Sequence, residues 1–322
     1  MPTGNKRRSI GLAGLVVSGL LLVACGIDNP QAGAKAGSGG GLAVQDQFEV
    51  APGQEIGVMT AGEGPDALIM LHGFAATSEE WRHFGSIFPK GRGTLVALDL
   101  IGHGRSATPG WTDYSVTANA SAVARFIAAK KFDHPVLAGH SLGGLVALAT
   151  VWKLPRRGAG APKALILIAT PVYPIPYPRF VAVFRDRSLL GGLVDLLPSR
   201  LKAERVLRGL FFDPGKVTPA MVTAYARNLE DPQALEGIRR TARQLDLQDL
   251  EKFAATYRGL DLPILVIGGA ADPVVPPEHL QRFVAEVKHA TLVMVPRCGH
   301  LLLDECPVAV ERAIAGFLRG LE

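Results

Sequence analysis

Three side chains of unlike chemistry, far apart in the chain, carry the reactive potential of this sequence. Ser141 lies in Gly139-His140-Ser141-Leu142-Gly143, a G-x-S-x-G pattern between a short apolar run and a helical stretch. A serine held on a sharp strand-to-helix turn needs very small neighbours two residues away, and Gly139 and Gly143 supply them. A hydroxyl is a poor nucleophile near neutral pH and needs an imidazole to take its proton and return it to a leaving group. Of the eight histidines, His300 in Pro296-Arg297-Cys298-Gly299-His300 combines a loop after a strand, a preceding glycine and a late position. His140 is locked in the turn, His103 lies in a glycine turn, and His279 and His289 fall on helix surfaces or ends. Asp272, in Gly268-Gly269-Ala270-Ala271-Asp272-Pro273, stands at the carboxyl end of a strand, where catalytic groups collect in open α/β sheets. Its role would be to fix the tautomer of His300 and stabilise the imidazolium. Asp304 and Glu305 are nearer to His300 in sequence but fall near the start of the last helix, where acids favour the helix dipole. Acyl chemistry also needs donors for an oxyanion. The Leu142 N–H at the helix start is one, and the Phe74 N–H in His72-Gly73-Phe74 is the natural second.

The elements that must position these groups alternate between apolar runs and helical patterns, the signature of a mostly parallel sheet flanked by helices. Strands are predicted at Gln47–Val50, Glu55–Thr60, Ala67–Leu71, Thr94–Leu98, Pro135–Ala138, Ala164–Ala169, Ile264–Ile267 and Thr291–Val295. Helices are predicted at Val116–Lys130, Leu142–Trp152 and Ala309–Leu321. Residues 45–174 and 257–322 thus form the α/β core. Residues 175–256 carry leucines, phenylalanines and arginines at helical spacing and no parallel strand, and are read as an inserted helical cap. Its Phe180, Phe184, Phe211, Phe212 and Tyr225 are divided between an apolar pocket and the cap's own packing.

Taken together, His72-Gly73-Phe74, Asp99 to Ser106, the serine turn, Gly269-Ala270-Ala271-Asp272 and Gly299-His300 resemble the α/β-hydrolase superfamily along almost all of the chain after its leader. The order Ser, Asp, His is the one that fold uses. The resemblance implies hydrolysis of carboxylic esters of small or medium apolar substrates through an acyl-enzyme, with a cap forming much of the pocket. It leaves open a C–C bond hydrolase or a cofactor-free perhydrolase or haloperoxidase using the same triad, and a non-catalytic binding protein. A serine rather than an aspartate at position 141 departs from the dehalogenase and epoxide hydrolase branches. Asp99 to Ser106 reads as a structural loop.

The chain start has a separate meaning. Lys6, Arg7 and Arg8 precede the uncharged apolar stretch Ile10 to Ala24, too short to span a bilayer, which ends in Leu22-Val23-Ala24-Cys25. This segment resembles a bacterial lipoprotein signal, which implies cleavage after residue 24, lipidation of Cys25 and a membrane-anchored protein outside the cytoplasm. Residues 25–44, rich in Gly, Ala and Ser, read as a flexible tether. The leader supplies three of the five excess positive charges, so the remainder offers no nucleic-acid footprint. With 48% apolar and 20% charged residues, the chain can bury a sizeable core. No metal-ligand spacing or phosphate-cradling loop occurs, so no metal or cofactor is expected, and no obligate protein partner is evident. Cys298 and Cys306 remain as a pair whose bridging the spacing leaves open.

Overall fold

A computed structural model describes Met1 and residues 42–88, 91–106, 108, 110, 113–185, 196–247 and 250–321. Residues 2–24 and Cys25, with the predicted signal and lipidation site, lie outside the described residues, as do residues 26–41 of the stretch read as tether. Among the described residues, no helix is long and apolar enough to cross a membrane.

Eight strands form one sheet: β1 (Ala43–Ala51), β2 (Gln54–Ala61), β3 (Asp66–Leu71), β4 (Gly93–Leu98), β5 (Val136–His140), β6 (Ala164–Ile168), β7 (Ile264–Gly269) and β8 (Ala290–Val295). Their order is β1-β2-β4-β3-β5-β6-β7-β8. β2 runs antiparallel to β1 and β4, and every other neighbouring pair is parallel. The central strands Ala67–Leu71 and Ala164–Ile168 are almost wholly shielded from solvent, as expected of parallel strands covered on both faces. Their continuous apolar runs are therefore legible as sheet interior. β1 differs from the expectation: it begins at Ala43, inside the stretch read as tether, and continues through irregular register at Gln45/Gln47.

The helices that hold the site follow from local chemistry. α1 (Val116–Lys130) starts where the Ser115 hydroxyl accepts the Ala118 N–H at 3.1 Å, and it ends at Lys131 in the left-handed conformation. α2 (Leu142–Val151) is apolar on every side and buried between the sheet and α1, so it forms a fixed platform behind Ser141.

Between β6 and β7 the described chain is helical, without a strand: α3 (Arg179–Arg185), α4 (Ser199–Leu210), α5 (Pro219–Glu230), α6 (Pro232–Gln244) and α7 (Leu250–Ala254). This helical insertion has its own apolar cluster around Leu207, Phe211 and Val222, and Leu301 from the core joins it. The residue after His300 is thus packed into the insertion. After β7 come α8 (Pro277–Glu286), β8, the short α9 (Leu302–Glu305) and the closing α10 (Pro307–Arg319).

Candidate active site

Ser141 occupies the turn between β5 and α2 with φ 50° and ψ −113°, a conformation that costs a non-glycine residue roughly 1–3 kcal/mol. The turn is held by the Ser141 N–H, which donates to the Ile168 carbonyl at 2.8 Å. Its tightness explains the glycines. A Cβ on Gly139 would collide with the Gly143 backbone, and one on Gly143 with the carbonyls of Leu71 and His72.

The structure brings all three predicted groups to one place. His300 Nε2 lies 3.0 Å from Ser141 Oγ. On the other side of the ring, Nδ1 lies 2.9 Å and 3.1 Å from the two Asp272 oxygens. The His300 and Asp272 side chains are 2% and 1% exposed, so water does not compete for their contact. Asp272 is fixed in turn, because its Oδ1 accepts the Val274 and Val275 N–H groups at 2.7 and 3.0 Å. Such an arrangement can draw the serine proton onto Nε2 while the carboxylate holds Nδ1–H.

Gly299 has a definite task. Its missing side chain lets the loop approach α4 so closely that a Cβ would strike the Leu210 carbonyl, which accepts the His300 N–H at 2.8 Å. The helical insertion therefore helps to set the imidazole.

The Phe74 and Leu142 N–H groups have no hydrogen-bond partner among the described residues. Phe74 follows β3 and precedes Ala75, whose φ of 59° turns the loop, and Leu142 begins α2. Phe74 lines the same cavity as Ser141, and Leu142 follows the serine in the chain; backbone donors left unspent are what a developing oxyanion requires.

Several side chains that the spacing left aside prove to be structural parts of the site. Glu80 is buried and accepts the Gly73 N–H at 2.9 Å through one oxygen, while its other oxygen meets His140 Nδ1 at 2.9 Å. Burial pushes the His140 imidazole pKa down, but the adjacent Glu80 carboxylate outweighs it and the net shift is upward. Burial likewise raises that of Glu80, and His140 reverses the sign to a net lowering. Both ring nitrogens of His140 face acceptors, Glu80 Oε1 and the His300 carbonyl, which is the geometry of an imidazolium paired with a carboxylate.

Asp304 and Glu305 correct the expectation of helix-dipole acids. Both are buried in α9, before the closing helix begins. Asp304 takes the Arg82 guanidinium at 2.6 Å and the Tyr225 hydroxyl at 2.9 Å. Glu305 accepts the Gly299, Phe212 and Asp213 N–H groups at 2.7, 3.1 and 2.8 Å. Cys298 and Cys306 are joined in a disulfide with 6.4 Å between Cα atoms, which settles the pairing the sequence left open. With both sulfurs bonded to each other and the Glu305 oxygens on backbone amides, this cluster is not a built cation site.

The Asp99 to Ser106 loop is held by its own hydrogen bonds and reaches none of the three reactive groups. Asp99 accepts the N–H groups of Ser78 at 2.6 Å and Arg105 at 3.0 Å. His103 is buried within it, and desolvation holds its pKa down at about 3.

A cavity of about 710 Å³ opens onto Ser141 and His300. Phe74, Phe180, Phe184 and Tyr225 line it, with Phe74 5.9 Å from Phe184 and 6.2 Å from Phe180 between ring centres. Phe211 is instead packed in the insertion, and Phe212 is exposed on the surface with Arg297 over its ring. The aromatics of the helical segment therefore divide between pocket and packing.

A mostly parallel sheet, a serine on a strained turn and an acid and a base from the loops after later strands define a hydrolase scaffold. The chain belongs to the alpha/beta hydrolase family, whose pattern it matches over residues 68–313. It is 29% identical over 268 residues to a dihydrolipoyllysine-residue acetyltransferase component of an acetoin cleaving system from Pseudomonas putida, covering 80% of this chain and 65% of that protein. It is 23% identical over 263 residues to lipase 3 of a Moraxella species, covering 80% of this chain and 78% of the lipase. A thermophilic esterase from Thermogutta terrifontis superposes with a TM-score of 0.68 at 23% identity, covering 87% of this chain and 98% of the esterase.

Proposed function

We propose that this hydrolase cleaves carboxylic esters of small or medium apolar substrates through an acyl-enzyme on Ser141. The observation that carries the reading is the unbroken relay of Asp272, His300 and Ser141, whose imidazole and hydroxyl members line a largely apolar cavity. As Ser141 Oγ bonds to the ester carbonyl carbon, its proton passes to His300 Nε2, and the carbonyl oxygen takes the negative charge. The Phe74 and Leu142 N–H groups stabilise that oxyanion. Collapse expels the alcohol, which receives the proton from His300, and leaves an acyl group on Oγ. Water then gives a proton to His300 as its oxygen bonds to the acyl carbon, and the Oγ–acyl bond breaks as His300 returns that proton to Oγ, releasing the acid and restoring Ser141. The Moraxella relative, named a lipase, supports ester chemistry, while a Metapseudomonas resinovorans relative, 25% identical and named a 2-hydroxy-6-oxo-6-(2'-aminophenyl)hexa-2,4-dienoic acid hydrolase, supports C–C bond cleavage as the second reading of the same triad. A panel of p-nitrophenyl esters, set against diketone cleavage and peracid formation, tests the reading. Turnover is expected with the esters, and activity confined to either other class would overturn it.

We also propose that the mature protein is lipidated on Cys25 and works outside the cytoplasm. The leader pattern supports this, and so does the Cys298–Cys306 disulfide, since such bonds persist in oxidising compartments. Metabolic labelling with an alkyne fatty acid is expected to mark the wild type and not Cys25→Ala, and equal labelling of both would refute the anchor.

A further inference from the structure

His140 stands directly before the nucleophile and Glu80 lies in the 3-10 helix Ser78–Phe84, and neither touches Ser141 Oγ or the Asp272 carboxylate by any hydrogen bond. Yet between them they contact both sides of the reaction centre. Glu80 Oε2 accepts the Gly73 N–H at 2.9 Å, one residue before the donor Phe74. Its Oε1 accepts His140 Nδ1–H at 2.9 Å, and His140 Nε2–H donates to the His300 carbonyl at 2.9 Å. The chain of contacts runs from the loop after β3, through the strand that carries the serine, to the loop after β8. The side chains of His140 and Glu80 are 1% and 2% exposed, so none of these bonds is shared with solvent. Gly73 also admits the imidazole, for a Cβ there would lie 2.8 Å from His140 Nδ1.

The geometry points to Glu80 and His140 as a positioning pair that ties the oxyanion loop to the base loop, holding the Phe74 N–H and the His300 imidazole at fixed distance across Ser141. The inference rests on the reading of Ser141 as nucleophile. Burying such a pair is a weak source of stability, because desolvation offsets most of the attraction, and an apolar replacement of both members is commonly tolerated. Its return is geometric. A displacement of about 1 Å at a reacting group, or loss of one oxyanion donor, lowers turnover on the order of 100-fold. The groups facing the pair are His72, Asp272, His300 and Tyr225, whose hydroxyl donates to Asp304, and Asp99 lies beyond, against His72. Exchange of Glu80 for Gln keeps the hydrogen-bond pattern: the amide oxygen can accept from Gly73, and the amide NH₂ can donate to Nδ1 of a neutral His140 that still donates through Nε2.

The test measures the second-order rate of fluorophosphonate labelling at Ser141 with near-ultraviolet circular dichroism on the whole exported chain, together with kcat and KM on a p-nitrophenyl ester. The double variant Glu80→Met/His140→Leu, which leaves no buried charge, is expected to fold, to label about 100-fold more slowly, and to lose kcat with little change in KM. Glu80→Ala is expected to behave alike, and Glu80→Gln to recover at least about a tenth of the wild-type rate by keeping the bonds. A folded double variant labelling as fast as wild type would overturn the inference. So would a Glu80→Gln as slow as Glu80→Ala, a result that remains decisive if the double variant does not fold. Absence of labelling in the wild type would instead sink the nucleophile assignment itself.

Discussion

Replacing Asp272 by Asn exchanges one oxygen for an NH₂, and the structure dictates how the new side chain must sit. Oδ1 accepts two backbone N–H groups, from Val274 and Val275, at 2.7 and 3.0 Å. Only the amide oxygen can take that place, because turning the NH₂ toward two donors would leave both unsatisfied at a cost of roughly 1–3 kcal/mol each. The NH₂ is therefore directed at His300 Nδ1, where the wild-type Oδ2 lies at 2.9 Å. A donor there forces Nδ1 to accept, so the ring proton moves to Nε2, which then faces Ser141 Oγ as a donor and can no longer take its proton. The wrong tautomer at a triad of this kind lowers kcat on the order of 10⁴-fold, equivalent to about 5 kcal/mol of transition-state stabilisation. KM should change little, since Asp272 is not among the residues lining the cavity. The folded state should be nearly as stable as wild type because the backbone bonds persist. Steady-state kinetics on a p-nitrophenyl ester, with a thermal melt as control, measures both. An Asp272→Asn enzyme within about tenfold of wild-type kcat would show that His300 tautomer control is not what the carboxylate supplies.

Gly299→Ala drives a Cβ into the Leu210 carbonyl, and should cost about 1–3 kcal/mol of stability as well as kcat; unaltered urea unfolding would contradict that contact. His103 remains neutral in the fold down to about pH 3, whereas in the unfolded chain it protonates near its ordinary 6.5. Between those values the unfolded state binds more protons, so stability falls as pH falls, by about 2 kcal/mol from this group between pH 7 and pH 5. Urea titrations of wild type and His103→Leu should show that much less pH dependence in the variant, and parallel curves would dismiss the burial effect. Phe184 packs on Phe74 along the cavity wall. Phe184→Ala should lower kcat/KM roughly 3–10-fold for a hexanoyl ester relative to an acetyl ester, through lost apolar contact; an unchanged ratio would place the acyl chain elsewhere.

Which parts were legible in the sequence follows from how local their cause is. The serine turn could be read because its strain is relieved only by glycine at defined offsets, and Gly139 and Gly143 stand there. Central strands such as Ala67–Leu71 could be read because burial on both faces leaves a continuous apolar run. His300 and Asp272 were found by their places after strands, and the fold brings them together. Glu80 was not legible: Ser78-Glu79-Glu80 looks like a solvated first helical turn, and only the approach of β5 turns Glu80 inward onto His140. Asp304 and Glu305 misled for a related reason. Their helix is a separate short turn, and their partners Arg82, Tyr225 and Phe212 come from segments far away in the chain. The disulfide likewise depended on the corner that α9 makes between Cys298 and Cys306.

The central claim is that Ser141 carries the acyl group between two half-reactions. Rapid mixing of the enzyme with a p-nitrophenyl ester should release about one equivalent of nitrophenol in a burst before steady turnover, as acyl-enzyme accumulation requires. Peptide mass mapping of the quenched reaction should then find the acyl mass on Ser141. Steady hydrolysis with no adduct at that position, or an adduct on another residue, would contradict the mechanism at its root.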